Sequence, residues 1–400
     1  VSTTGNDSGQ LPEDVFNDLF GAEVADRANG TARKPDNPGN PHSPRGPEQT
    51  LQDPGPQPQA RKLAPSRNTE DRRDAPGLGG AVGGLLKRAA STVRRQPHGA
   101  AASHIREANP ARDQQRLENL EHRMKVSLRE TSLPGIAKVG VGSPKGGVGK
   151  SSTAYGFAGA AAFNTNMRVC LVDADPNFGS TRLLIPRPID PSVVDLARDA
   201  PELDGLSDLR GYIAQNDKMR LDVVLGPTHA YELAEFDDLG EAYERIDRVL
   251  SRHYDLIVYD LGLGFRDPAI RRVLGLCNEL LFVTDSEVIP NAMLGDGIAY
   301  IQHLGLDLDR TTLVINHRLP KQHESADTSQ VRQAASRAFR HVTDIPYDDS
   351  MSQLLNRRAF HIESLSPDTR RGILTTLAAG LEGLMTSTES GARVAGPRRA

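Results

Sequence analysis

The run Gly142-Ser143-Pro144-Lys145-Gly146-Gly147-Val148-Gly149-Lys150-Ser151-Ser152 is the part of this 400-residue sequence best suited to chemistry. Gly146, Gly147 and Gly149 free the backbone to curl, so that successive N–H groups point inward at phosphate oxygens. A helix opening directly behind the loop adds the positive end of its dipole. Lys150 is placed to reach the β- and γ-phosphates of a nucleotide, and the Ser151 hydroxyl to ligate Mg²⁺. Gly146 to Ser152, including Val148 and Ser152, is thus expected to cradle the phosphates. A chance glycine-rich turn would not come with a strand before it and a helix after it. Here an apolar run, Ile136 to Gly142, leads in, and a helical pattern, Ser152 to Phe163, leads out.

Two further strings end in carboxylates. Val169-Cys170-Leu171-Val172-Asp173-Ala174-Asp175-Pro176 is an apolar run closed by a pair of aspartates. A carboxylate at the C-terminal edge of a strand faces the ligand crevice of an open α/β sheet. The competing reading is a pair that caps a turn. Tyr254-Asp255-Leu256-Ile257-Val258-Tyr259-Asp260 is the second string, and Asp260 is placed to hold Mg²⁺ through water.

These residues need a scaffold, and the sequence supplies one from Gly135 onward. Ile136–Gly142, Arg168–Asp173, Leu221–Leu225, Asp255–Asp260, Glu279–Thr284 and Thr311–Asn316 read as strands. Most are continuous Val/Ile/Leu runs without polar alternation, as strands buried on both faces of a parallel sheet should be. Helical patterns lie between them. The expectation is an α/β P-loop NTPase fold over 135–388: a doubly wound, mostly parallel sheet with helices on both faces.

The rest of the chain has a different texture. Eight prolines fall between Pro35 and Pro58, among Gly, Asn, Gln and Asp. Such a stretch cannot bury enough apolar surface to offset its ordering entropy, so residues 1–109 are expected to form a long disordered arm. An acidic segment at 12–28 places Val15, Phe16, Leu19 and Phe20 on one helical face, suited either to a partner's groove or to a transient helix without a partner. A stretch at 75–106 has no Asp or Glu and carries Lys87, Arg88, Arg94, Arg95 and Arg106. It reads as a solvated linker or as a contact for phosphate, on nucleic acid or anionic lipid. Residues 110–134 read as a lead-in helix and linker, with Leu117, Leu120 and Met124 at helical spacing, and 389–400 as a disordered tail.

Charge is nearly balanced, 48 Lys+Arg against 52 Asp+Glu, which excludes a partner chosen by bulk charge alone. No apolar stretch is long enough for a membrane-spanning helix, and the polar start, Val1 to Gln10, has no apolar core of a secretory signal. Cys170 and Cys277 are widely separated and form no C-x-x-C pair, which gives no support to a disulfide framework, a structural zinc or an iron–sulfur cluster. A cytoplasmic location is the expectation.

A strict phosphate loop has Gly where Pro144 stands, and this one adds a second lysine, Lys145. With that deviant Walker A string, the sequence resembles the ParA/MinD family of P-loop ATPases over about Ile136 to Met385. The resemblance implies ATP and Mg²⁺ as cofactors and slow ATP hydrolysis until a partner stimulates it. It also implies an ATP-dependent homodimer in which Lys145 reaches the partner's phosphates. It assigns Asp173 to the Mg²⁺ shell, Asp175 to orienting the attacking water, Asn316 to the adenine edge and Ile345-Pro346 to the neighbourhood of the base. The lesser alternative for Asn316 is an ordinary strand-terminal residue. After Asp260, Leu261-Gly262-Leu263-Gly264-Phe265 lacks the proline the family commonly has there.

Asp260 to Pro268, Val314 to Pro320 and the Pro-rich arm together look like the MinD-like ATPases linked to actinobacterial type VII (ESX) secretion. That resemblance implies a switch that positions or regulates an assembly, with a protein partner docking the arm or stimulating hydrolysis. Membrane association would then be peripheral, through partners. A partition ATPase that uses non-specific DNA and a nucleotide-binding regulator that does not hydrolyse ATP stand as alternatives. Four arginine pairs, Arg271/Arg272, Arg337/Arg340, Arg357/Arg358 and Arg370/Arg371, are the candidate DNA contacts, or else solvated faces. Thr369 to Met385 reads as a core-packing helix in preference to a membrane anchor.

Overall fold

A computed structural model describes residues 110–176, 179–286, 298–320, 332–333, 335–390 and 394. The arm at 1–109, with its acidic segment 12–28 and basic stretch 75–106, lies outside the described residues, as do 391–393 and 395–400 of the expected tail. The elements run α1 (Pro110–Glu130), β1 (Ala137–Ser143), α2 (Lys150–Asn164), β2 (Val169–Ala174), α3 (Val193–Asp199), β3 (Ala214–Asn216), β4 (Leu221–Val224) and α4 (Leu239–Leu250). They continue with β5 (Leu256–Leu263), α5 (Pro268–Leu276), β6 (Glu279–Asp285), β7 (Thr311–Asn316), β8 (His341–Ile345), α6 (Asp349–Asn356) and α7 (Pro367–Ser390), with shorter helical turns between.

The eight strands form one sheet in the order β3-β4-β2-β5-β1-β6-β7-β8. All pairings are parallel except β3 with β4. The expected doubly wound sheet is therefore present, and β1 sits where the strand order turns back, between β5 and β6. That is the switch point at which such sheets bind ligands.

Residue alternation along each strand feeds two cores. On β5, Leu256 and Val258 join the core under α2 and α7, while Ile257, Tyr259 and Leu261 join the one under α3, α4 and α5. Small residues bring α2 close to its neighbours. A Cβ at Gly159 would stand 2.9 Å from Met219 Sδ, and one at Gly380 of α7 would stand 3.0 Å from Phe157. The apolar side of α7 (Ile373, Leu374, Leu377, Leu381 and Leu384) is buried against this layer. Fully burying each such leucine contributes about 1.5–3 kcal/mol. Among the described residues no helix is long and apolar enough to cross a membrane.

α1 docks by its C-terminal half. Met124 and Leu128 are buried, and Glu121 accepts from Arg370 Nε at 2.6 Å. Val394 is also buried: its N–H donates to Cys277 O and its carbonyl accepts from Asp307 N–H, both at 2.9 Å.

Candidate nucleotide site

Register sets the site. Asp173 of β2 pairs with Asp260 of β5, and Asp285 of β6 pairs with Asn316 of β7, which pairs in turn with Ile345 of β8. Side chains level on parallel neighbours share a face, so two carboxylates stand on one side of the β1 loop, and a carboxylate and an amide on the other.

β1 ends at Ser143 and α2 begins at Lys150, two residues earlier than the sequence pattern suggests. Gly147 and Gly149 take φ of 75° and 90°, the left-handed region that side chains disfavour. Gly149 has a second constraint, because a Cβ there would lie 2.2 Å from Asn316 Nδ2. Asn316 donates that amide hydrogen to Val148 O at 2.9 Å, so the end of β7 braces the loop. Lys150 and Ser151 head α2, half-buried, with Ser152 behind them. Gly146 lies beneath Leu263. Lys145 stands apart on the exposed rim, its side chain 49% exposed, with Nζ 3.4 Å from Asp285 Oδ2.

The two carboxylates facing α2 differ. Asp173 is fully engaged: Oδ2 accepts from Thr181 N at 3.0 Å and Thr181 Oγ1 at 2.7 Å, and Oδ1 accepts from Asp175 N at 3.3 Å. Burial raises its pKa, and the Thr181 hydrogen bonds oppose the shift. It is wedged between Gly179 and Gly226, where a Cβ on either would come within 2.8 Å of Oδ2. Asp260 is buried as deeply, yet neither of its oxygens has a hydrogen-bond partner among the described residues. Burial, then the Asp173 charge, pushes its pKa well up; Ser151 and Lys150 pull the other way. A buried carboxylate without a partner is costly unless a ligand supplies one. Beside a serine hydroxyl and a lysine, it fits Mg²⁺, which is commonly held by one or two carboxylates together with substrate phosphates.

Asp175 lies on the turn after β2 and packs on Gly262, where a Cβ would meet Asp175 Oδ1 at 2.5 Å and Pro176 Cδ at 2.7 Å. β5 continues through Gly262 to Leu263. Gly262 therefore makes room for the Asp175–Pro176 turn. Pro346 sits beyond β8, where its carbonyl accepts from Thr369 Oγ1 at 3.1 Å, and Gly372 of α7 approaches its ring.

The residues singled out in the sequence for phosphate, Mg²⁺ and base contacts fall along this one edge of the sheet or on the loops leaving it. Sequence reasoning missed Thr181, Gly179, Gly226, Arg318 and Asp285. Asp285 alone had a legible signal: like Asp173 and Asp260, it closes an apolar strand. Four of the eight paired arginines are engaged by the chain's own groups. Arg272 bonds Asp238 and Glu244, Arg370 bonds Glu121, Arg371 bonds Asp368, and Arg340 Nε donates to Asp309 O.

The sequence matches the family described as CobQ/CobB/MinD/ParA nucleotide binding domain over residues 139–361. Two curated relatives, each named ESX-1 secretion-associated protein EspI and found in two strains of Mycobacterium tuberculosis, are 27% identical to it over 199 residues. That match covers 49% of this chain and 29% of each relative, so the chain spans less than a third of their length. Among solved structures, a ParA family ATPase from Chlorobium tepidum superposes with a TM-score of 0.50 at 20% identity, covering 60% of this chain and 96% of that one. The cell division ATPase MinD of Pyrococcus furiosus gives 0.48 at 18% identity, over 64% and 99%. At 20% identity the likeness to the Chlorobium tepidum structure is one of fold. The family match spans more than half of the chain and takes in the loop, the strand edges and the Ile345–Pro346 segment just described, so the chain belongs to the CobQ/CobB/MinD/ParA nucleotide-binding domain family.

Proposed function

We propose that this chain is an ATP-hydrolysing dimerisation switch that times the positioning of a cellular assembly. Family membership supports ATP and Mg²⁺ as cofactors and hydrolysis as the reaction. The observation that carries the switch is the division between the loop's two lysines. Lys150 heads α2 inside its own site, and Lys145 stands half exposed on the rim. A rim lysine has little to add in cis. It would meet phosphates in trans, where excluded water strengthens a charge-assisted bond. There it stabilises the charge that develops during hydrolysis, as an arginine finger does.

In this reading Lys150 and the N–H groups of Gly146–Ser152 bind the phosphates. Ser151 and Asp260 hold Mg²⁺, and Asp173 supports that shell by fixing the turn that presents Asp175 to the attacking water. Asn316 braces the loop near the base, with Pro346 beside it. Lys150→Ala should abolish ATP binding. Asp175→Ala should bind ATP and fail to hydrolyse it, and wild-type turnover in that variant would refute the water-orienting role.

What is positioned has two readings. Partition or positioning on a DNA track is the broader one, in keeping with the family's ParA members. A secretion-associated role is the second, favoured by the names of the mycobacterial relatives. The discriminating measurement is ATP-dependent binding to non-specific duplex DNA at low salt. Binding that weakens steeply with salt supports the first reading, and no binding at low salt removes it.

A further inference from the structure

Asp285 is the third buried aspartate at this edge of the sheet and the one to which the proposed chemistry gives no task. It closes β6 on the far side of the loop from Asp260, and it is 1% exposed. Oδ2 lies 3.4 Å from Lys145 Nζ and 3.9 Å from Arg318 Nη1, while Oδ1 is buried without a hydrogen-bond partner among the described residues. Both cations are half exposed, so the carboxylate is the fixed member of the group and the two side chains are the movable ones. Arg318 also overhangs the loop, its Nη1 3.9 Å from where a Cβ of Gly147 would be.

We propose that Asp285 is the positioning residue of Lys145: it holds the lysine over its own loop and yields it when ATP phosphates arrive, so that only loaded protomers present Lys145 to a second copy. This rests on the reading of Lys145 as the lysine that crosses the interface. Lysine is a point charge on a flexible four-carbon stem and can exchange one anion for another by rotating. ATP brings several negative charges to the loop, against one on Asp285. Without a second cation, the loss of Lys145 would leave Asp285 as an uncompensated buried charge, which is strongly unfavourable. Arg318 removes that obstacle, because it remains beside Oδ2 when Lys145 leaves. The arrangement thereby links occupancy of the site to exposure of the lysine.

The test is Asp285→Asn in the full chain carrying Asp175→Ala, which keeps ATP intact. Light scattering gives the ATP concentration at half-maximal dimerisation. A half-exposed ion pair is weak, so its loss should lower that concentration by about three-fold. Asp285→Glu, which keeps the charge, should stay near the parent value. Thermal melts confirm that the variants fold. Removing a negative charge also favours anions in general, so affinity for a fluorescent ATP analogue is compared with and without Lys145→Ala. The gain from Asp285→Asn should shrink once Lys145 is gone. An equal gain in both backgrounds would make Asp285 a simple repeller of phosphate and overturn the proposal, as would an unmoved midpoint in Asp285→Asn. If Lys145→Ala alone leaves dimerisation intact, the cross-interface reading fails first, and the latch with it.

Discussion

Asp247 and Asp260 are both buried carboxylates, served from opposite faces of β5. Asp247, on α4, takes Lys138 Nζ at 2.5 Å on one oxygen and the Tyr259 hydroxyl at 2.7 Å on the other. Asp260 follows Tyr259 along the strand, points the other way, and has no hydrogen-bond partner among the described residues. The first network is closed: each charge has an opposite and each carboxylate oxygen a donor, so it spends its electrostatics on holding α4 to the sheet. The second is open, and its deficit is what a cation and phosphates would fill. At these two aspartates, pairing accompanies a task in the fold, and its absence is what the proposed Mg²⁺ site would fill.

Breaking the closed network should give the largest effect. Asp247→Ala strands Lys138, which is 11% exposed, next to the buried Tyr259, and should cost about 3–5 kcal/mol in urea denaturation. Asp260→Asn should cost nothing or stabilise the fold, because it removes a desolvated carboxyl. It should also erase the Mg²⁺-dependent rise in melting temperature on adding ATP. Equal destabilisation by the two changes would break the comparison.

Gly262 tests the open side. Gly262→Ala drives a methyl into Asp175 Oδ1, and displacing a catalytic group by about 1 Å can cost on the order of 100-fold in rate. Turnover should fall by up to that factor while the affinity for ATP holds. Unchanged turnover would separate Asp175 from the chemistry.

Glu279 sharpens the comparison as an intermediate case. Its Oε1 accepts from Thr312 Oγ1 at 3.0 Å, and its Oε2 is buried without a partner, against Gly383. Burial pushes its pKa from 4.5 up to about 8. The folded carboxyl therefore keeps its proton where the unfolded one has lost it, and stability drains away as pH rises from 4.5 toward 8. The slope from this group is at most about 1.4 kcal/mol per pH unit. Glu279→Gln should remove that slope, so its advantage over the parent grows from pH 6 to pH 8. A constant difference across that range would show that Glu279 is ionised in the fold.

The strands that sequence patterns caught were those buried on both faces, whose apolar runs leave no other reading. Two escaped. Ala214–Asn216 is three residues long at the sheet's edge, and His341–Ile345, at the other edge, carries only two apolar residues, Val342 and Ile345. The phosphate loop was legible because its chemistry is local: one contiguous string supplies glycines, lysines and a hydroxyl. Thr181, Gly226 and Gly262 were not, because their tasks arise from contacts between distant segments. At Gly262 the sequence shows only a missing proline, whereas the structure shows the Asp175–Pro176 turn packed on it.

The switch depends on Lys145 acting across an interface. Light scattering of the full chain with Mg-ATP tests it most directly, on an Asp175→Ala background with and without Lys145→Ala. The prediction is a doubling of mass for Asp175→Ala, and a monomer that still binds ATP for the double variant. A double variant that dimerises as tightly as its parent would contradict the claim.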